Sequence, residues 1–247
     1  MGGATEALSP RSGWGRRMTT GELADAVIAF DLDGTLVDTA PDLVRALNET
    51  LDLEGLPHAK LATVRHLVGQ GARRLIERAT ELASANFSAE RLDQLTAAFI
   101  EFYRADIAGA SAPFPGLTDA LDQLAALGAK FSVCTNKRTD LSQQLLDALN
   151  LSGRFSAVVG ADAVTNRKPH PEHYRAAVER AGGAVRRSVM VGDTTADVAA
   201  ARAAGAPVIV VRFGYCDGGA DSLGADVVLD RYSDLAPVCR RLLTAHS

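Results

Sequence analysis

Short apolar runs recur along the chain, each closed by a polar residue or a glycine, and they predict buried strands. The runs with the clearest pattern are Val27–Phe30, Phe131–Cys134, Ala157–Val159, Val189–Val191 and Val208–Val211. A sixth candidate is Val227–Leu229. Runs without polar alternation are typical of strands that are covered on both faces.

Helical spacing of apolar residues fills most of the gaps between these runs. The predicted helices are Pro115–Leu127, Asp140–Leu149, Glu172–Ala181 and Asp197–Ala204. Gly128 and Gly205 follow the first and the last of them, and glycine often caps the carboxyl end of a helix. Strands that alternate with helices predict an α/β fold, in which a parallel sheet is covered by helices on both faces.

One long stretch, residues 40–110, breaks this alternation, because it shows helical periodicity and no convincing strand. It follows the first predicted strand abruptly and returns through Gly109–Pro115, whose composition is typical of a linker. We therefore predict a core domain of residues 21–39 and 111–247 and a helical domain inserted into it. The alternative is that these helices share one core with the sheet. Residues 1–20 are predicted to be a disordered extension.

Composition narrows the function classes. The chain has 247 residues, 47% hydrophobic and 23% charged, as is usual for a soluble globular protein. A net charge of −4 with scattered basic residues argues against a nucleic-acid partner. Apolar runs stay well short of the ~20 residues that cross a bilayer, so we expect no membrane contact. Three widely spaced cysteines indicate neither a disulfide framework nor a zinc site. We expect a cytoplasmic protein, either a monomer or a homodimer.

The strongest chemical signal is the sequence D-L-D-G-T-L-V-D at Asp31–Asp38, directly after the first predicted strand. Alternation places the side chains of Asp31 and Asp33 on the same side of an extended segment. Two carboxylates ~4 Å apart repel by about 4 kcal/mol at an effective dielectric constant of ~20, unless a cation lies between them. Ligands bind at strand ends in open parallel sheets, so this spacing suggests a hard cation such as Mg²⁺. Taken alone, the motif could also be a solvated acidic turn.

Three more polar elements each follow a predicted strand. Thr135 and Asn136 close the second strand, where a hydroxyl and backbone N–H groups can bind an anion. Lys168 precedes a proline that keeps it out of helical geometry, and a lysine fixed there can neutralise a phosphate. Asp193 is placed to ligate a metal, and Asp197, one turn later, can support that ligand or pair with Lys168. Singly, these elements could be a capping threonine, a solvated lysine and a helix N-cap.

In this order the four elements D-x-D-G-T, strand-end Thr, Lys-Pro and G-D-x-x-x-D resemble the haloacid dehalogenase superfamily of phosphohydrolases. The match spans roughly Ala26–Tyr215. The resemblance implies a Rossmann-like parallel sheet with strand order 3-2-1-4-5, and it identifies the helical insertion as the small cap of that superfamily. The sequence V-G-Q-G at Val68–Gly71 and Phe213–Tyr215 further along resemble the phosphoglycolate phosphatases of this superfamily.

The resemblance also implies a mechanism. Asp31 would attack phosphorus and form an aspartyl-phosphate, while Asp33 would act first as general acid and then as base. Asp31, the backbone carbonyl of Asp33 and Asp193 would hold Mg²⁺. The residues expected to bind the phosphoryl oxygens are Thr135, Asn136 and Lys168. The expected partner is a small phosphorylated metabolite, with 2-phosphoglycolate first.

Specificity is expected to come from the helical insertion, in which Gly71, Arg73 and Arg74 are expected to bind the substrate. Arg73 and Arg74 follow Gly71, and one of them could clamp a substrate carboxylate, although solvated helix arginines are commoner. Rival functions are the same chemistry on a sugar phosphate, a nucleotide or pyrophosphate, and a phosphomutase similar to β-phosphoglucomutase. A dehalogenase has no use for Asp33, Gly34 and a metal-binding Asp193 together. A non-catalytic protein on this fold would lack the nucleophile or the acid, and this chain has both.

Overall fold

The computed structural model describes residues 21–65, 67–216 and 219–245, so the predicted extension 1–20 lies outside the described residues. In chain order the strands are β1 (Val27–Phe30), β2 (Val37–Asp38), β3 (Ala112–Pro113), β4 (Lys130–Cys134), β5 (Ala157–Val159), β6 (Ser188–Gly192), β7 (Val208–Val211) and β8 (Val227–Leu229). Six of them form one parallel sheet in the order β5-β4-β1-β6-β7-β8. The predicted α/β fold is confirmed. When only the strands of this sheet are counted in chain order, β5-β4-β1-β6-β7 is the predicted order 3-2-1-4-5, which is also confirmed, and β8 extends the sheet beside β7.

The sheet is covered on both faces because its strands are apolar on both faces. In β1, Val27 and Ala29 point into one buried cluster, which the helices α7 (Pro171–Arg180) and α8 (Thr195–Ala204) help to close. Ile28 and Phe30 point the opposite way, into a second cluster. All four residues are fully buried. This explains why the strands lack the polar alternation of a half-exposed sheet.

Helices account for most of the remaining chain. In chain order they are α1 (Ala40–Asp52), α2 (Leu61–Arg65), α3 (Ala72–Leu82), α4 (Ala89–Ala105), α5 (Leu117–Ala126), α6 (Thr139–Ala148), α7 (Pro171–Arg180), α8 (Thr195–Ala204) and α9 (Leu235–Ala245). None of these helices is both long and apolar enough to span a membrane. Pro171 opens α7 at its first turn, and Gly205 ends α8 with a left-handed backbone, φ 81°.

The stretch between β2 and β3 forms α1–α4, and its described residues contain no strand. Helix α4 packs against both α1 and α3. Strands β2 and β3 pair antiparallel, so the two chain segments that lead into and out of this helical insertion lie side by side. The division into a core and a cap domain at residues 40–110 remains our proposal.

Candidate active site

The residues predicted to attack phosphorus, bind the phosphoryl oxygens and hold the metal lie at one edge of the sheet. Strand β1 is paired in parallel with β4 on one side and β6 on the other, so the carboxyl ends of the three strands lie close together. Asp31 follows β1, Thr135 follows β4 and Asp193 follows β6. The Asp31 N–H group donates to the carbonyl of Val191 at 2.9 Å, which continues the ladder to the tip of β1. Sheet pairing therefore unites residues that are far apart in the sequence.

Asp31 is held in one orientation. Its Oδ1 accepts a hydrogen bond of 2.7 Å from the Leu32 N–H group, and Lys168 Nζ lies 3.0 Å from the same oxygen. Burial raises the pKa of Asp31 to about 6, although Lys168 opposes this shift. The carboxylates of Asp197 and Asp33 raise this pKa further. A cation beside Asp31 would favour the ionised form that a nucleophile needs.

Lys168 lies between two carboxylates and is almost completely buried. Its Nζ donates to Asp197 Oδ1 at 2.6 Å. The other oxygen of Asp197 accepts from the N–H and hydroxyl groups of Thr194, at 3.0 and 2.6 Å, and from the Asp193 N–H group at 3.2 Å. Burial lowers the pKa of Lys168, but Asp197 and Asp31 raise it by more, so the lysine stays charged. Asp197 thus fixes both Lys168 and the loop that carries Asp193.

Asp193 is fully buried and accepts two hydrogen bonds. The Thr35 hydroxyl donates to Oδ1 at 3.0 Å, and the Tyr215 N–H group donates to Oδ2 at 2.7 Å. Burial raises the pKa of Asp193 well above its ordinary value, and the negative charges of Asp31 and Asp197 add to this shift. The pocket therefore holds more negative charge than Lys168 balances.

A divalent cation fits this excess of charge. Asp31, Asp193 and Asp197 each offer a carboxylate oxygen, and these oxygens lie within 4.8 Å of one another. Three buried carboxylates face one buried ammonium group, and carboxylate oxygens are the ligands that Mg²⁺ prefers. Asp197 accepts four hydrogen bonds, one of them from the Lys168 ammonium group, whereas Asp193 accepts two, so Asp31 and Asp193 are the better candidates for ligands.

Gly34 is required by this close packing. Its φ of +80° favours glycine, and a β-carbon here would overlap Asp193 Oδ2 and lie 2.7 Å from Tyr215 Cδ2. The Tyr215 hydroxyl donates to Asp38 Oδ1 at 2.6 Å and accepts from the Ala40 N–H group at 3.0 Å. Tyr215 therefore connects Asp193 to the start of the helical insertion.

Asp33 contacts a lysine to which the sequence analysis assigned no role. Lys137 Nζ lies 2.8 Å from Asp33 Oδ1 and 3.0 Å from Oδ2, and the Thr39 hydroxyl donates to Oδ1 at 2.6 Å. The ammonium group also lies 4.5 Å from the centre of the Tyr103 ring, in α4. Burial lowers the pKa of Lys137, and Asp33 raises it by more, so the lysine is charged. Among the described residues the group of carboxylates that could hold a metal ion does not include the Asp33 side chain.

The predicted anion-binding residues after β4 are buried at the tip of that strand. Lys137 N–H donates to the Thr135 hydroxyl at 3.2 Å. Asn136 Nδ2 donates to the carbonyl of Lys168 at 3.1 Å and to that of Gly69 at 3.2 Å. Asn136 thus joins the loop before α7 to the helical insertion. Its Oδ1 is buried without a hydrogen-bond partner among the described residues.

His173, which sequence reasoning missed, fixes the backbone beside Lys168. The Lys168 N–H group donates to His173 Nδ1 at 3.1 Å, so Nδ1 carries no proton, and Nε2 lies 3.0 Å from the Val159 carbonyl as its donor. Burial, and then the charge of Lys168, lower the pKa of His173 from 6.5 to about 4. The ring is therefore neutral at physiological pH. Its helical position, five residues after Lys168, was the only sequence signal for it.

Because His173 binds a proton less tightly in the folded protein, its contribution to stability is complete above pH ~6.5 and is lost as pH falls towards 4. When the pH is lowered from about 7.5 to about 5, we expect protonation of this histidine to reduce the free energy of unfolding by about 2 kcal/mol. Urea unfolding at the two pH values measures this loss. In His173→Gln, whose amide keeps an acceptor and a donor but does not titrate, the loss should be smaller by that amount. Equal pH dependence in the two proteins would contradict the assignment.

The arginines predicted to clamp a carboxylate lie further out. Arg73 pairs with Glu77 at 3.0 Å and with Asp93, and Arg74 pairs with Glu77 at 3.2 Å. Both line an open groove between α3 and the loop before α7, rather than the cavity above Asp33. Gly71, with φ +93°, leaves room for the guanidinium group of Arg167. The role of Arg73 and Arg74 stays a prediction.

Comparison with known proteins agrees with the fold and identifies the family. A profile of the family described as haloacid dehalogenase-like hydrolase matches residues 28–211, and this chain belongs to that family. The chain is 50% identical to a phosphoglycolate phosphatase of Caulobacter vibrioides over 227 residues, which cover 92% of this chain and 96% of the relative. The superfamily predicted from the motifs and the enzyme class, a phosphoric monoester hydrolase, are thereby confirmed.

Solved structures agree as well. The crystal structure of a predicted phosphoglycolate phosphatase from Haemophilus somnus has a TM-score of 0.80 at 28% identity, over 87% of this chain and 98% of that chain. A mutant of CbbY from Rhodobacter sphaeroides, crystallised with xylulose-1,5-bisphosphate, has a TM-score of 0.72 at 25% identity, over 85% of this chain and 96% of that chain.

Proposed function

We propose that this protein is a Mg²⁺-dependent phosphatase that hydrolyses 2-phosphoglycolate through an aspartyl-phosphate at Asp31. The observation that carries the proposal is the buried group of Asp31, Lys168, Asp193 and Asp197 at the carboxyl edge of the sheet. The phosphoglycolate phosphatase of Caulobacter vibrioides, which matches nearly the whole chain, supports the choice of substrate.

In the first step a carboxylate oxygen of Asp31 attacks phosphorus, and the bond from phosphorus to the ester oxygen breaks. Lys168, 3.0 Å from Asp31, lies where it can neutralise the phosphoryl oxygens during transfer. Thr135 and Asn136, at the tip of the neighbouring strand, can add the Thr135 hydroxyl and backbone N–H groups as donors. Positioning and charge stabilisation are the main demands of phosphoryl transfer.

Asp33 acts as the general acid and then as the general base. In the first step it gives a proton to the departing ester oxygen. In the second step it takes a proton from a water molecule, whose oxygen attacks phosphorus and breaks the bond to Asp31. Thr39 and Lys137 hold Asp33 through contacts of 2.6 and 2.8 Å, so its carboxyl group is oriented before substrate arrives.

Asp31, Asp193 and the backbone carbonyl of Asp33 would hold the Mg²⁺ ion, as the excess of buried negative charge suggests. When bound, the ion supplies positive charge that offsets the charge of the transferring phosphoryl group. Asp197 orients Lys168 and the backbone around Asp193.

A panel of phosphomonoesters tests the function. Phosphate release is measured from 2-phosphoglycolate, a sugar phosphate, a nucleotide and pyrophosphate, each with Mg²⁺ and with chelator. We expect turnover of 2-phosphoglycolate to exceed that of the others and to require Mg²⁺. If the protein hydrolysed only the other compounds, the proposed mechanism would stand, but 2-phosphoglycolate would be rejected as the substrate. Conversion of a sugar phosphate to its isomer without phosphate release would indicate a mutase instead.

A sugar bisphosphate is the second candidate. The relevant observation is the similarity to CbbY, whose mutant was crystallised with xylulose-1,5-bisphosphate. The cavity above Asp33, about 300 Å³, has room for a leaving group larger than glycolate. Xylulose-1,5-bisphosphate therefore belongs in the panel, and preferential turnover of it would favour this candidate.

Mg²⁺ should stabilise the folded protein, because the ion binds the folded site and relieves its negative charge. At about 100 times its dissociation constant the gain is about 2.7 kcal/mol, or roughly 5–10 °C in Tm for a chain of this size. Asp193→Asn should lose most of this shift in a thermal melt. Asp33→Asn should keep it, since its backbone carbonyl is unchanged. The same shift in wild type and Asp193→Asn would contradict the ligand assignment.

A further inference from the structure

The cavity above Asp33 has the size and the lining of a small-molecule binding site. It has a volume of about 300 Å³, and its walls are mostly apolar side chains of the helical insertion, among them Leu75 and Phe99. Asp33 and Lys137 also line it. An apolar pocket with a few convergent polar groups is typical of a small-molecule site.

Two polar atoms in this lining are buried without a hydrogen-bond partner among the described residues. They are the hydroxyl oxygen of Tyr103, a residue that is 1% exposed, and Oδ1 of Asn136, a residue that is 8% exposed. Leaving such atoms unpaired is costly. The Tyr103 hydroxyl can donate to an anionic ligand, whereas Asn136 Oδ1 only accepts and needs water or another donor. The Tyr103 hydroxyl lies on the same ring that Lys137 contacts.

We propose that Lys137 binds the carboxylate of the leaving group and is the specificity-determining residue for short, anionic phosphomonoesters; this inference rests on the proposed function. In 2-phosphoglycolate the carboxylate is attached to the carbon that bears the ester oxygen. A cation that recognises it must therefore lie close to the acid that protonates that oxygen. Lys137 Nζ lies 2.8 Å from Asp33 Oδ1. An ammonium group has three N–H donors, so it can hold Asp33 and a ligand at once.

Other cations at the cavity are less well placed. Arg138 is exposed and pairs with Asp140 at 3.0 Å. Arg167 is exposed at the rim, beside Gly71. The Lys137 side chain, by contrast, is 6% exposed, so its contact with a carboxylate is shielded from water and correspondingly strong.

The test compares 2-phosphoglycolate with ethyl phosphate, which has a methyl group in place of the carboxylate. Both substrates use Asp31 and Asp33, so any effect of Lys137 on the chemistry cancels in the ratio of their kcat/KM values. In Lys137→Met we expect this ratio to fall about 10- to 100-fold, as for a lost charged hydrogen bond. Lys137→Arg should recover part of it, and Arg138→Met should leave it within about 2-fold of wild type.

A binding measurement covers the case in which Lys137→Met turns over neither ester. In the Asp31→Asn background, calorimetry gives the affinity for each ester with and without Lys137→Met, and the affinity ratio should fall by the same factor. If the ratio for 2-phosphoglycolate over ethyl phosphate were unchanged in Lys137→Met, the proposal would be overturned. It would also be overturned if this ratio fell in Arg73→Met but not in Lys137→Met. If wild type itself showed no preference for 2-phosphoglycolate, the proposed substrate would fail, and this inference with it.

Discussion

Replacing Asp31 by asparagine is expected to lower kcat for 2-phosphoglycolate by at least about 10⁴-fold, because the amide cannot form the bond to phosphorus. The shape of the side chain is nearly unchanged. Its oxygen can still accept from the Leu32 N–H group, which is 2.7 Å from Oδ1 in the wild type. The loss should therefore arise from chemistry rather than from unfolding.

Phosphate release and urea unfolding are measured together on the Asp31→Asn protein. The unfolding free energy should stay close to that of wild type or increase, since burial already disfavours the ionised carboxylate. Asp52→Asn is the matched control, because that carboxylate is exposed and pairs with His58 at the surface. A residual rate within about 100-fold of wild type would contradict the role of Asp31 as nucleophile.

Lys168→Met should have the second largest effect, on both activity and stability. The substitution leaves two buried carboxylates, Asp31 and Asp197, without the ammonium group that lies 3.0 and 2.6 Å from them. Breaking a buried ion pair by removing one partner costs about 3–5 kcal/mol. We expect a loss of this size in unfolding free energy at neutral pH and a fall in kcat of about 10³-fold or more.

The loss of stability in Lys168→Met should be larger at neutral pH than at acidic pH. Lys168 lowers the pKa of Asp31 in the folded protein, so without it this pKa rises further above the unfolded value, and the Asp31 carboxyl group favours folding at low pH and opposes it as pH rises. The deficit of Lys168→Met relative to wild type should shrink as pH falls. Lys130→Met is the control, because its ammonium group donates to a surface carbonyl at 3.1 Å. A deficit no larger than that of the control would show that Lys168 is not paired as described.

Much of the fold could be predicted from the sequence, because a strand that is buried on both faces of the sheet has a continuous apolar sequence. Strands β1, β5, β7 and β8 begin and end where the sequence pattern places them. The pair β2 and β3 was missed, since two residues are too few for any periodicity. Helix α9 was also missed, although Leu235, Cys239 and Leu243 carry a helical spacing and are buried.

The site was less predictable where long-range contacts define it. Asp31, Asp33 and Asp193 follow strands and are visible as motifs, and the structure brings them to one edge of the sheet. Lys137 also follows a strand, but its significance depends on Asp33, 104 residues away. The contact of Lys137 with Tyr103 further depends on how α4 packs against α1 and α3. Single-sequence patterns do not contain such pairings.

Covalent transfer of the phosphoryl group to Asp31 distinguishes the proposed mechanism from direct attack by water, and rapid acid quenching detects it. The protein is mixed with Mg²⁺ and excess 2-phosphoglycolate, quenched in acid during turnover, and digested for peptide mapping by mass spectrometry. We predict phosphate on the peptide that contains Asp31, and none in the Asp31→Asn protein or in chelator. Turnover that proceeds with no phosphorylated Asp31 peptide at any quench time would contradict the mechanism.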